Sequence, residues 1–265
     1  MLFLLRKIRR KLISTDNKVV TYLLYAIGEI VLVVVGILIA VSIDSWKQER
    51  TNKDLGETYT KRLIEDIKGD TTNINHRIAF FNKVYGFGEE ALVHIESKKQ
   101  RDVVEQWQFV LSLFHASQIW PFTAAPTSYT EIQNAGLFKY VGDATLTNSL
   151  SYYYLNGTDQ LTQLNGGTQE YRDLVRGNIP LNLQKVIWQY CFQGGALVTN
   201  LDFRECDFPI GLEAEISSAY YFFKENSSLK RHLTRHLSTI TVRNSVYQNI
   251  LSQANELIKS IEGRN

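Results

Sequence analysis

The sequence predicts an all-α protein: one N-terminal transmembrane helix followed by a helical-bundle soluble domain with long first and last helices. Three observations predict it. The stretch Ile30–Ile43 (IVLVVVGILIAVSI) carries no charge, and apolar residues downstream recur at steps of three and four rather than two. Strand-like alternation with hairpin turns does not recur anywhere in the chain. Setting aside an anchor still leaves enough of the 265 residues to bury a core. The chain divides into a basic amphipathic cytoplasmic arm (1–18), a transmembrane signal anchor (19–46) and an α-helical periplasmic domain (47–265).

The arm combines Leu2, Phe3, Leu4, Leu5, Ile8 and Leu12 with five basic residues between Arg6 and Lys11, the makeup of a segment lying on anionic lipid. From Val19 to Ile43 the only charge is Glu29. About 20 residues rising 1.5 Å each cross a bilayer core of about 30 Å. A buried core helix would show polar residues on one face, and none occurs between Ile30 and Val41. Ala40-Val41-Ser42 has the form of a signal-peptidase site, but the apolar run exceeds the roughly 7–15 residues of a signal core, so an uncleaved anchor is expected. The basic arm resists export, which places it inside and the long C-terminal part outside. Tyr22 and Tyr25 then sit at the inner interface and Trp46 at the outer one.

Within the anchor, Gly28, Glu29, Gly36 and Ala40 are the candidates for helix association. Gly28, Gly36 and Ala40 share roughly one face, and Gly36-x-x-x-Ala40 is a small-xxx-small pair. Glu29 has three readings: reaching the inner interface, pairing with a cation on a partner helix, or relaying protons. Its position one to two turns into the span favours the first.

Charge changes across the boundary. Residues 1–46 hold six Lys/Arg against three acids, whereas residues 47–265 hold 23 against 24. A near-neutral domain without a basic run lacks the footprint of nucleic-acid binding, so no nucleic acid is expected as a partner. Apolar residues at Leu55, Tyr59, Leu63, Ile67, Ile74 and Ile78 mark an amphipathic helix that continues from the membrane, with Gly86 and Gly88 expected to break it. Helical pieces follow at Ala91–Glu96 and Val103–Phe114. Ser128 and Glu131 have capping-box spacing, and the helix they open should stop near Asn134-Ala135-Gly136. Asp143 can cap the next helix, which carries Leu146, Leu150 and Tyr153. Tyr171–Arg176, Leu181–Tyr190 (with Pro180 in the first turn) and Leu212–Phe223 read as further helices. The last helix has a seam at Leu233, Leu237, Ile240, Asn244, Tyr247, Leu251, Ala254, Ile258 and Ile261, where Asn244 could fix register. Pairing this helix antiparallel with the first would bring the C-terminus near the membrane.

Few residues point to chemistry. His232 and His236 share a helix face, but no third ligand is near and Arg231 and Arg235 disfavour a cation, so a solvated basic face and no metal are expected. Gly86-Phe87-Gly88 precedes Glu89 and Glu90, which repel phosphate. The carboxylates are spread like helix-surface charges, and no catalytic residue or cofactor is indicated. Cys191 and Cys206, the only cysteines, flank a Gly/Asp-rich connection; a disulfide is expected in an oxidising compartment, with two buried thiols as the alternative. The aromatic groups at Tyr152–Tyr154 and Tyr220–Phe223 are expected in the core, a pocket wall being the other use.

The basic arm, the anchor Tyr25–Ala40 (YAIGEIVLVVVGILIA) and Ser45-Trp46 together resemble a membrane-anchored family of Bacteroidota envelope proteins with no assigned activity. Ser128-Tyr-x-Glu131, Ala135-Gly136, Leu146 and the Tyr152-Tyr153 pair are similar to that family's soluble part, with Asn134-Ala135-Gly136 standing where Ser-Gly is expected. The resemblance implies an inner-membrane anchor and a periplasmic domain. The functional expectation is an interaction or scaffold subunit of a cell-envelope complex, partnered by the lipid bilayer and by other envelope proteins or a homo-oligomer. A sensory or ligand-binding module is the alternative, and only about 20 residues would lie inside, too few for an output domain of its own.

Overall fold

Heptad spacing organises the two longest helices of the computed structural model, which describes residues 18–120, 122–165, 169–193 and 201–263. Residues 1–17 of the basic arm lie outside the described residues, as do Gly194 and Gly195 of the connection between the cysteines. Helix α1 spans Lys18–Glu96, and contacts divide the chain into two compact units, residues 1–57 and 58–265.

In the first unit every residue from Tyr22 to Arg50 is exposed. Among the described residues this is the one helix long and apolar enough to cross a membrane.

In the second unit α1 buries Thr60, Leu63, Ile67, Asp70, Ile74, Phe81, Val84, Gly88 and Ala91. The last helix, α9 (Leu229–Glu262), buries Leu229, Leu233, His236, Ile240, Arg243, Tyr247, Ile250, Ala254, Leu257 and Ile261. Steps of three and four are the a/d pattern by which two helices keep one seam in contact. The pair is antiparallel: Lys68 meets Glu262 at 2.8 Å, Asn82 accepts from Asn244 at 2.9 Å, and Lys230 meets Glu96 at 2.8 Å. The seam is turned by one residue from the sequence expectation. Arg243 lies within it, 2% exposed, with its guanidinium 4.9 Å from the Phe81 ring centroid, while Asn244 is half-buried at the flank.

Seven shorter helices complete the described part of the unit. Helix α2 (Val103–Ala116) is capped by the Asp102 carboxylate, which accepts from the Glu105 amide at 2.9 Å, and it is buried on most sides. Helix α3 (Thr127–Ala135) ends at Gly136, whose φ of 65° is the left-handed conformation that favours glycine. After α4 (Phe138–Val141), Asp143 caps α5 (Ala144–Asn165) by accepting from the Leu146 amide. Then come α6 (Gln169–Asn178), α7 (Leu181–Tyr190) and α8 (Glu213–Glu225). Helix α5 packs along α9, and α8 along α2. Between α7 and α8, β1 (Phe192–Gln193) pairs antiparallel with β2 (Asp202–Phe203). Residues 191 and 206, flanking this hairpin, are joined as a disulfide with Cα atoms 4.8 Å apart.

Four local expectations are corrected. Gly86 and Gly88 do not end α1: a glycine costs a helix about 1 kcal/mol, which tertiary packing readily outweighs. A Cβ added at Gly88 would stand 2.4 Å from Leu237 Cδ2, so the bare backbone there lets α9 approach. Ser128 and Glu131 form no capping box, because α3 starts two residues earlier, with Pro126 rather than Ser128 as its N-cap. Pro180 is the N-cap of α7 rather than a first-turn residue. His236 is not on a solvated face: it is fully buried, with Nε2 2.7 Å from the Ala116 carbonyl. The aromatic groups divide. Tyr153, Tyr154, Tyr220 and Phe223 are buried, while Tyr152, Tyr221 and Phe222 are exposed.

Candidate functional site

Arg62, Asp66 and Asp70 recur every fourth residue on α1, a spacing that stacks side chains along one helix face. All three are taken up by the segment that leads into and begins α3. Asp70 accepts from the Ala125 amide at 3.0 Å and from the Tyr153 hydroxyl at 3.0 Å. Asp66 accepts from the Ser128 amide at 3.1 Å, and Arg62 pairs with Glu131 at 2.6 Å. The first amides of a helix have no partner within it and carry the positive end of its dipole, so a carboxylate is their natural complement. Here the carboxylate comes from another helix. Tyr129 donates to Ser151 at 3.0 Å and stacks on Tyr154 at 4.7 Å, which ties α3 to α5.

Asp70 is 1% exposed. Burial raises its pKa to about 6, and the hydrogen bonds from Ala125 and Tyr153 only partly offset this. Burial raises the Tyr153 phenol in turn, and the adjacent Asp70 adds to the effect. A group so enclosed meets no substrate. What the cluster does is lock α1, α3 and α5 together through a carboxylate that changes charge in mild acid.

A second polar convergence closes the far end of α2. Tyr171 donates to the Leu113 carbonyl at 3.1 Å, His236 to Ala116 at 2.7 Å and Arg172 to Ser117 at 2.8 Å. Arg176 donates to the Ser117 hydroxyl at 2.9 Å and lies 3.6 Å over the Phe114 ring. These cations complement a helix C-terminus, which accounts for arginines at that position. Burial lowers both neighbouring histidines, His236 to about 4 and His115 to about 3, with Arg176 adding to the shift of His115. Phe87, Phe192 and Phe203 surround the His115 ring at 4.7, 5.1 and 4.7 Å, so the hairpin helps bury it.

The outer side of α5 and the end of α9 flank a cavity of about 610 Å³. No group of three metal-ligating side chains occurs among the described residues. Gly28, Glu29, Gly36 and Ala40 are all exposed, and a Cβ added at Gly28 or Gly36 would have nothing within 4 Å. The polar cluster was missed because its carboxylates sit at ordinary helix spacings. The one available signal was Asp70 falling on the apolar stripe between Ile67 and Ile74.

The sequence profile of a family of unknown function (DUF6090) matches residues 29–159. Neither curated proteins nor solved structures give a match. Arg62, Asp66, Asp70, Ser128, Glu131 and Tyr153 all fall inside the matched segment, which ends before α6.

Proposed function

We propose that this chain is a membrane-anchored interaction or scaffold subunit of a bacterial cell-envelope complex, with its basic arm in the cytoplasm and residues 47–265 in the periplasm. The observation that carries the reading is the helix Lys18–Glu96, which is apolar and fully exposed over Ile30–Ile43 yet supplies a packed heptad seam from Thr60 onward. Exposed apolar side chains over that length call for a lipid environment, whereas the second half builds a folded unit. The Cys191–Cys206 disulfide suits an oxidising compartment, and the likeness of the anchor to Bacteroidota envelope proteins agrees with an inner-membrane location. A second reading, a ligand-binding module acting through a partner, is favoured by the cavity between α5 and α9.

The test is to extract the full chain gently from native membranes and to compare native mass and co-purifying proteins for wild type and Glu29→Gln. An envelope protein, or a second copy, held in stoichiometric amount is expected. A monodisperse monomer with nothing attached would overturn the scaffold reading. Unchanged association in Glu29→Gln is expected if Glu29 only reaches the interface, and loss of the partner would assign it to helix pairing.

A further inference from the structure

The crease between α5 and α9 differs in chemistry from the rest of that helix pair. Deeper in, Leu150 of α5 and Ala254 of α9 are fully buried. At the crease Leu146 and Leu257 form an apolar floor, 2% and 4% exposed, and the walls are polar. Asn148 and Tyr152 stand on the α5 side, one turn apart, and Gln253, Glu256 and Ser260 on the α9 side. The volume, about 610 Å³, lies in the range of roughly 300–1,000 Å³ typical of small-ligand sites.

Three features narrow the ligand. The walls offer amides, hydroxyls and a phenol but one charge only, the carboxylate of Glu256, so an anion is repelled. Asn148 and Gln253 line the crease with carboxamides, which both donate and accept and so match a ligand hydroxyl. The Tyr152 ring is 47% exposed at the rim, an aromatic face able to pack on an apolar C–H surface. A cationic amine would use Glu256 and leave the amide and hydroxyl donors idle. A molecule that both donates and accepts along its edge, carries no charge and has one apolar face uses every wall.

We propose that this crease binds a neutral saccharide, with Tyr152 packing on a sugar ring and Asn148, Gln253 and Glu256 taking its hydroxyls. The site stands on the second unit alone, so it can fail without touching the membrane reading, and the reverse holds as well. The test uses the full chain in phosphatidylcholine nanodiscs, because detergents with sugar headgroups would compete. Maltotriose, chitotriose and, as a cationic control, putrescine are titrated by calorimetry. Saturable binding of at least one saccharide is expected, weakened about tenfold or more by Tyr152→Ala or Gln253→Leu at unchanged helical content. Asn148→Ala, at an exposed position, serves if either variant misfolds. Absence of saturable saccharide binding, saccharide binding indifferent to all three substitutions, or tighter binding of putrescine would overturn the proposal.

Discussion

Asp70 and two buried histidines pull stability in opposite directions with pH. His236 and His115 are neutral when folded and charge on unfolding below about pH 6.5. Each therefore contributes stability that is present above about 6.5 and lost as the pH falls through its folded value, about 4 for His236 and about 3 for His115. At about 1.4 kcal/mol per pH unit these contributions are of order 3 and 5 kcal/mol. Asp70, raised from 3.8 to about 6, has the opposite sign: its contribution is present below about 3.8 and lost as the pH rises through 6, at about 3 kcal/mol. The histidines win, so the melting temperature of the full chain in nanodiscs should fall between pH 7 and pH 4. Asp70→Asn removes the opposing contribution and should make that fall steeper between pH 6 and 4; an unchanged slope would show that Asp70 does not titrate as described. Gly86 and Gly88, which local sequence rules treat alike, should also part company. Nothing lies within 4 Å of a Cβ at Gly86, so Gly86→Ala should stabilise by up to about 1 kcal/mol. Gly88→Ala meets Leu237 and should cost about 1–3 kcal/mol, a difference that paired melting curves would register.

At the scale of elements, helix bodies were legible in the sequence and several helix ends were not. Leu181–Tyr190, the Gly136 stop and the Asp143 cap follow from residues within a turn of the feature they make. The heptad seam of α9 was legible because apolar spacing repeats over 34 residues, although its centre lies one residue away from the expected line. Other ends are closed by side chains from distant helices, which no local pattern encodes. Asp66 serves the start of α3, Tyr171 and Arg172 serve the end of α2, and Lys224 donates to the carbonyls of His94, Ile95 and Ser97 at the end of α1. That arrangement predicts a loss out of proportion to exposure. Lys224→Met keeps the aliphatic stem but strips three carbonyls of one charged donor, and should cost about 1–3 kcal/mol. Hydrogen exchange at residues 92–97 should quicken in the variant, and protection equal to wild type would contradict the capping role. The polar crease was equally illegible, since Asn148 and Gln253 stand 105 positions apart and become neighbours only when α5 packs along α9.

For the whole molecule, one run of side chains sets the functional reading. The folded second unit could serve many roles, but the exposed apolar run from Ile30 to Ile43 is long enough to cross a membrane, and the proposed direction of that crossing rests on the basic cluster Arg6–Lys11. The disulfide gains biological sense only if the second unit lies outside the cytoplasm. Protease added to intact spheroplasts is therefore the decisive measurement, read with antibodies against the C-terminus and against a cytoplasmic marker. Residues 47–265 should be digested while the marker survives and a fragment containing the anchor stays with the membrane. Full protection of the C-terminus until the cells are lysed, or recovery of the intact chain in the soluble fraction, would contradict the reading.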